Sequence, residues 1–217
     1  KKYYHIGFAV DPDADRLAIV NNLGLPIGEE YTLVLAAEGY VNEVGKPQDF
    51  VTNLSTTIAL EKMAEKNNSK VLRTPVGEIN VVKKMIEVNS NIGGEGNGGV
   101  ILKEAHLGRD SLVGVAMVLN RMSQNPDMSI SKIHSTLPQF IIVKDKIDLD
   151  STNESELINK AKSVFEDSEV NTTDGYKFTW PDKWIHLRKS NTEPIIRIYA
   201  EASTSKDAKA LIQKLKS

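Results

Sequence analysis

Residues 6–22 read "IGFAVDPDADRLAIVNN": Asp11, Asp13 and Asp15 alternate with small residues, and Arg16 follows at once. Carboxylates this close repel one another unless a cation neutralises them, and hard oxygen donors alternating along one loop suit magnesium or calcium. A calcium helix-loop-helix site starting at Asp11 needs glycine at its sixth position and glutamate at its twelfth. Arg16 and Asn22 stand there, and the flanking runs are of strand type, so that reading is set aside. Three protein carboxylates leave an octahedral Mg2+ short of ligands, which makes a phosphate oxygen a natural further one. The competing reading is a solvated acidic turn.

Further along, "LRKSNTEPIIRIYAEA" spans residues 187–202. Arg188, Ser190, Asn191 and Thr192 offer a guanidinium fork, hydroxyls, an amide and backbone N–H groups, and Arg197 lies just beyond. That inventory suits a phosphate dianion; the alternative is a polar turn shaped by Asn191 and Pro194. In "NIGGEGNGGVILKE", residues 91–104, glycines surround Glu95 and Asn97. The backbone there can approach a ligand closely while a carboxylate and an amide reach sugar hydroxyls. A strand rather than a helix follows, so it is not a dinucleotide loop, and a flexible surface turn is the alternative.

Two helix starts complete the set. Gly77 and Glu78 in "TPVGEINVV" sit between a strand and a helix, where an acidic residue is favoured by the helix dipole. His106, Arg109 and Asp110 in "HLGRDSL" also precede a helix, with Asp110 as N-cap and Arg109 as a possible phosphate contact.

The elements that position these residues follow from periodicity. Apolar β-type runs, "YYHIGFAV" and "LAIV", flank the aspartates and place them on a turn between two short strands. From residue 30, helical periodicity alternates with short strands up to "RDSLVGVAMVLNRMSQNP", the pattern of a doubly wound α/β domain, with Ser55 as an expected N-cap. "NPDMS" at 125–129 is punctuation, and strand-rich texture follows, with a hairpin through Asp174 and Gly175 and a closing helix. The expected fold class is therefore α/β: a doubly wound mixed-sheet domain over 26–128, a smaller α+β domain over 129–217, and residues 1–25 as a remnant of a preceding α/β domain.

Composition narrows the function classes. The 217 residues, 40% hydrophobic and 26% charged, can bury a substantial core. With 27 basic and 29 acidic residues the net charge is −2, which gives no broad basic face for nucleic acid. The longest apolar runs fall short of the roughly 20 residues of a membrane span. Cysteine is absent, which suits a reducing compartment, the cytoplasm.

"DPDADR", "TPVG", "GGEGNGG" and "RKSNTEPIIR" resemble, in the same order, the metal loop, the domain-three loop, the sugar-recognition loop and the phosphate-binding loop of the α-D-phosphohexomutase superfamily. Members of that superfamily are built from four domains around a cleft, and this chain resembles the tail of the second, the third and the fourth. The resemblance implies that Asp11, Asp13 and Asp15 hold Mg2+ and that Arg16 reaches toward the transferring phosphoryl group. It implies Glu95 as acceptor from sugar hydroxyls, with Asn97 where many relatives have serine and Gly99 where some have histidine. Arg188, Ser190, Asn191 and Thr192 would hold the phosphate that is not transferred, and Glu78 takes a place where some relatives have an acid/base histidine. The implied parent is a mutase interconverting hexose 1- and 6-phosphates through a phosphoserine and a bisphosphate. The family's serine loop, of the form T-A-S-H-N-P, has no counterpart here, so the expectation is a C-terminal fragment that needs the missing N-terminal domains of the same polypeptide for turnover. A free-standing phosphosugar-binding module and a metal-dependent phosphatase are the rival readings.

Overall fold

The computed structural model describes residues 3–149, 153–190 and 192–217, which form two compact units, 1–138 and 139–217. No helix of the described residues is long and apolar enough to cross a membrane.

The first unit opens with a hairpin, β1 (Gly7–Val10) and β2 (Leu17–Val20), paired antiparallel from Gly7–Val20 to Val10–Leu17. Its main sheet comprises β3 (Asp49–Asn53), β4 (Lys70–Thr74), β5 (Ile92–Glu95) and β6 (Gly99–Leu102) in the order β4-β3-β5-β6. β3 is parallel to β4 and β5, whereas β6 turns back antiparallel on β5. Four helices serve this sheet: α1 (Glu30–Val44), α2 (Ala59–Lys66), α3 (Glu78–Val88) and α4 (Ser111–Ser123). α1 is apolar almost all round, which marks a helix inside a layered domain, and Leu33, Val34, Leu35, Ala36 and Ala37 are fully buried on it. The Asp110 carboxylate caps α4 by accepting from the Leu112 and Val113 N–H groups.

Three sequence expectations shift. α2 starts at Ala59, not after a Ser55 cap; Asn53 Oδ1 instead accepts from the Ser55 N–H at 2.8 Å and the Thr56 hydroxyl at 3.1 Å. Residues 92–102, expected as a loop and one strand, form the β5–β6 hairpin, buried at Ile92, Gly93, Gly94 and Glu95. A further short helix, α5 (Ile130–Thr136), belongs to the first unit, so the division falls at 138/139 rather than at 128/129. The reason is apolar burial: Ile130, Ile133 and Leu137 are buried, the Ser131 N–H donates to Asn22 Oδ1, and the Tyr31 hydroxyl donates to the Pro138 carbonyl.

Residues 1–25, expected as a separate remnant, are tied into the same unit as far as they are described. Leu17 and Ile19 are 1% exposed, the Leu17 N–H donates to the Gly98 carbonyl, and the Thr32 hydroxyl donates to the Leu17 carbonyl.

The second unit is an antiparallel sheet backed by two helices. Its strands β7 (Ile141–Asp148), β8 (Glu169–Asn171), β9 (Tyr176–Trp180), β10 (Lys183–Lys189) and β11 (Ile195–Ala202) run in the order β7-β11-β10-β9-β8. α6 (Glu154–Val164) and α7 (Ser205–Lys216) share one apolar cluster with Phe178, Ile185, Leu187, Ile196 and Ile198. Period-two alternation turns Trp184, His186 and Arg188 to the other face.

Candidate functional site

The acidic loop is built by the β1–β2 turn. Ala14 adopts a left-handed φ of 56°, a conformation that costs a non-glycine residue about 1 kcal/mol. It is held by the Ser111 N–H and hydroxyl, both donating to the Ala14 carbonyl. One carboxylate oxygen from each of Asp11, Asp13 and Asp15 lies within 4.8 Å of the others. Arg16 is turned back onto this loop: its backbone N–H donates to Asp11 Oδ1 at 3.1 Å, its Nε to Asp11 Oδ2 at 2.5 Å, and Nε lies 3.5 Å from Asp15 Oδ1. Desolvation pushes the Asp11 carboxyl up, but the Arg16 N–H and guanidinium outweigh it and hold the group below its ordinary value.

Asp15 has a second cation. Arg109 Nη2 donates to Asp15 Oδ2, and the same guanidinium reaches Glu95 Oε2 through Nη1 at 2.7 Å and Glu78 Oε2 through Nε at 3.2 Å. The Arg109 backbone N–H also donates to Glu78 Oε1 at 3.1 Å. Arg109 is thus spent on three carboxylates, which leaves little of it for the phosphate expected from its sequence position. The Oδ1 atom of Asp15 is buried without a hydrogen-bond partner. A carboxylate oxygen without a hydrogen-bond partner, in a group of three carboxylates that each bring one oxygen within 4.8 Å of the others, is the donor set a hard divalent cation takes, so the residues fit Mg2+.

Glu95 is 3% exposed and doubly engaged: besides Arg109, its Oε1 accepts from Asn53 Nδ2 at 2.7 Å and from the Gly77 N–H at 3.1 Å. Asn53 is itself placed by Arg73, whose Nη1 donates to the carbonyls of Asn53, Leu54 and Thr56 while Glu61 accepts from its Nε and Nη2. Glu78 opens α3 behind Gly77, as its position predicts, but its carboxylate is committed to Arg109. Asn97 Oδ1 accepts from the Gly99 N–H at 3.1 Å and shapes the β5–β6 turn. The glycines of this hairpin serve packing: Gly98, at φ 90°, leaves no room for a Cβ, which would stand 2.4 Å from the Leu17 carbonyl oxygen. These glycines belong to a buried hairpin rather than to a flexible surface turn. His106 lies on the surface with Nδ1 3.9 Å from Asp110 Oδ2.

In the second unit, Arg188 on β10 stands directly opposite Arg197 on β11, and Arg197 in turn opposite Lys146 on β7. Cross-strand partners share a face, so three cations line one row, an arrangement that is destabilising unless counter-charge intervenes. Part of that counter-charge is internal: both Asp174 oxygens accept from Arg188 Nε, at 2.8 and 2.9 Å, and Glu193 Oε2 lies 3.5 Å from Arg197 Nη2. Ser190 Oγ lies 3.4 Å from Arg197 Nη2, from the Thr192 hydroxyl and from the Thr192 N–H, so Ser190, Thr192 and Arg197 converge, with Arg188 across the strand from Arg197. Asn191, placed in this set by the sequence, lies outside the described residues. Lys146 and Asp174 were missed by sequence reasoning; the alternation "IIVKDKID" puts Lys144 and Lys146 on one face, but their register with Arg197 is not readable from the chain.

A helix-layered mixed sheet followed by an antiparallel sheet backed by two helices is shared with a solved structure of the phosphoglucomutase/phosphomannomutase class. A phosphoglucomutase/phosphomannomutase family protein from Burkholderia thailandensis matches with a TM-score of 0.80 at 26% identity, over 97% of this chain and 45% of that one. The chain belongs to the phosphoglucomutase/phosphomannomutase family: residues 28–140 match its alpha/beta/alpha domain III and residues 142–216 its C-terminal domain. Among curated relatives, a phosphoglucomutase/phosphomannomutase from Thermococcus kodakarensis is 33% identical over 95% of this chain and 45% of its own length. A phosphoglucosamine/phosphogalactosamine mutase from Sulfurisphaera tokodaii is 32% identical over 97% of this chain and 47% of its own. The chain therefore spans less than half the length of these relatives.

Proposed function

We propose that this chain is the C-terminal part of a magnesium-dependent phosphohexose mutase that interconverts hexose 1- and 6-phosphates in the cytoplasm through a phosphoserine and a bisphosphate. The observation that carries the reading is the row Lys146, Arg197, Arg188 beside Ser190 and Thr192. A hexose phosphate dianion placed there supplies the counter-charge the row lacks and accepts hydrogen bonds from guanidinium and hydroxyl donors. Its role is to anchor the phosphate that is not in transit.

In the first unit Asp11, Asp13 and Asp15 would hold Mg2+, which when bound neutralises charge building on a transferring phosphoryl group. Arg16, already poised on that loop, orients the same group, and Glu95 fixes the sugar-facing hairpin. The acid/base role of Glu78 requires its release from Arg109. The serine that carries the phosphoryl group is assigned to the part of the relatives' length that this chain does not span.

The test joins this chain to a serine-bearing N-terminal portion and follows conversion of glucose 1-phosphate to glucose 6-phosphate with Mg2+. Turnover that depends on both portions supports a mutase. Phosphate binding by the chain without turnover in any such pairing would identify a binding module instead, and hydrolysis of an aryl phosphate by the chain alone would identify a phosphatase.

A further inference from the structure

Among the described residues, Arg109 is the guanidinium that meets the acidic loop, the start of α3 and the β5–β6 hairpin at once. Its partners Asp15, Glu78 and Glu95 lie 94, 31 and 14 residues away in sequence. The side chain is 18% exposed, and its far anchor, Glu95, is 4% exposed at the side chain, so the arginine is held from behind by a group that is itself immobilised by Asn53 and Gly77. The stem crosses the hairpin where residue 99 has no side chain: a Cβ at Gly99 would stand 2.2 Å from Arg109 Cδ. Gly99 and Arg109 are therefore one packing unit.

We propose that Arg109 is a positioning residue that sets which divalent cation the acidic loop accepts. This inference rests on the reading of that loop as a cation site. Arg109 takes Oδ2 of Asp15 and leaves Oδ1, a buried atom without a hydrogen-bond partner and 3.5 Å from Arg16 Nε, as the oxygen free for a cation shared with Asp11 and Asp13. A carboxylate with one oxygen withdrawn serves as a monodentate ligand. Mg2+ accepts that readily, since it demands a compact octahedral set, whereas Ca2+ takes more oxygens at longer distances and commonly uses both oxygens of a carboxylate. Releasing Asp15 from Arg109 restores its second oxygen and so helps the larger ion more than the smaller.

The positive charge of Arg109 acts on both ions alike, because both are divalent and occupy the same loop. The ratio of their dissociation constants therefore isolates geometry from charge. The wild-type chain, Arg109→Gln, Arg109→Lys and Gly99→Ala are titrated calorimetrically with MgCl2 and with CaCl2, and the fold of each is checked by circular dichroism. Arg109→Gln is expected to tighten both ions and to move the ratio toward Ca2+ by roughly tenfold, the scale of a lost outer-shell partner. Gly99→Ala keeps every charge and displaces chiefly the arginine stem, with Asn97 Oδ1 the next neighbour at 3.2 Å, so it should move the ratio the same way without the general tightening. Arg109→Lys, with a cation but no fork, should fall between wild type and Arg109→Gln. An unchanged ratio in Arg109→Gln and Gly99→Ala would overturn the positioning role even if both ions bind. Failure of the wild-type chain to bind either ion would overturn the cation reading itself, and the proposal with it. If Arg109→Gln does not fold, the comparison of Gly99→Ala with wild type still decides.

Discussion

His186 Nε2 lies 2.7 Å from the backbone carbonyl oxygen of Asp174, the residue whose carboxylate grips Arg188 Nε. A carbonyl only accepts, so Nε2 carries the proton and donates. The contact joins the β8–β9 turn to β10 and to the arginine expected to meet phosphate.

This contact gives the stability a pH dependence. Burial pushes the His186 pKa down to about 4 from 6.5; the bond to the Asp174 carbonyl opposes the shift, and Lys177 adds to it. The folded state thus resists protonation that the unfolded chain accepts. The associated stability is present above pH 6.5 and is lost as pH falls toward 4, by about 3 kcal/mol when the full shift is counted. Thermal melts between pH 7 and 4 should show that loss, and His186→Gln should remove most of the slope in this window. An unaltered slope in the variant would assign the acid sensitivity to other groups.

Asp13→Asn tests the acidic loop. Losing one carboxylate should weaken Mg2+ binding sharply, while the cation-free fold is unchanged or gains stability through reduced like-charge repulsion. Calorimetry and thermal melting without added metal read the two effects. A clear loss of cation-free stability would mean that Asp13 has a structural role.

Arg188→Ala should lose about 2 to 3 kcal/mol of hexose phosphate binding, and Arg188→Lys should recover only part, because an ammonium cannot present a planar fork. Glucose 1-phosphate and glucose 6-phosphate should both bind more tightly than glucose in calorimetric titration, and more weakly as salt rises. Equal affinity for glucose and its phosphates would rule out the anion site.

Arg121 is 6% exposed and joins α4 to α1, with its Nε 2.6 Å from Glu38 Oε2. Arg121→Met should destabilise the first unit by about 3 kcal/mol in denaturant unfolding, since it strands a partly buried carboxylate. Pairing it with Glu38→Leu should restore much of the loss; no recovery would show that packing of the arginine stem, not the ion pair, matters here.

Local spacing made the acidic loop, the Arg188 loop and most elements legible, because each signal is complete within a few residues. The Asp110 cap of α4 and the Asp174–Gly175 turn are read the same way. What the sequence concealed depends on partners far along the chain. The β5–β6 glycines read as an open turn until Leu17 and Arg109 are seen pressed against them. Arg109 looks like a phosphate contact until Asp15, Glu78 and Glu95 surround it. α5 is only seven residues long, too short for helical periodicity to show, although the Ser129 hydroxyl that caps it stands in plain view.

The tethering of Ala14 to Ser111 also sets an order of events on the ribosome. The acidic turn is made before its partners: its carbonyl finds its donor only after almost a hundred more residues have emerged, and Leu17 must wait for Gly98. The antiparallel strands β8 to β11 follow one another in sequence and need no such delay. Local contacts form faster than distant ones, so the later-made sheet assembles quickly once released, while β1 and β2 remain a nascent segment in need of protection. A nascent chain stalled with residue 111 still inside the ribosomal exit tunnel should therefore leave the β1–β2 hairpin sensitive to protease, and one stalled after residue 123 has cleared the tunnel should not.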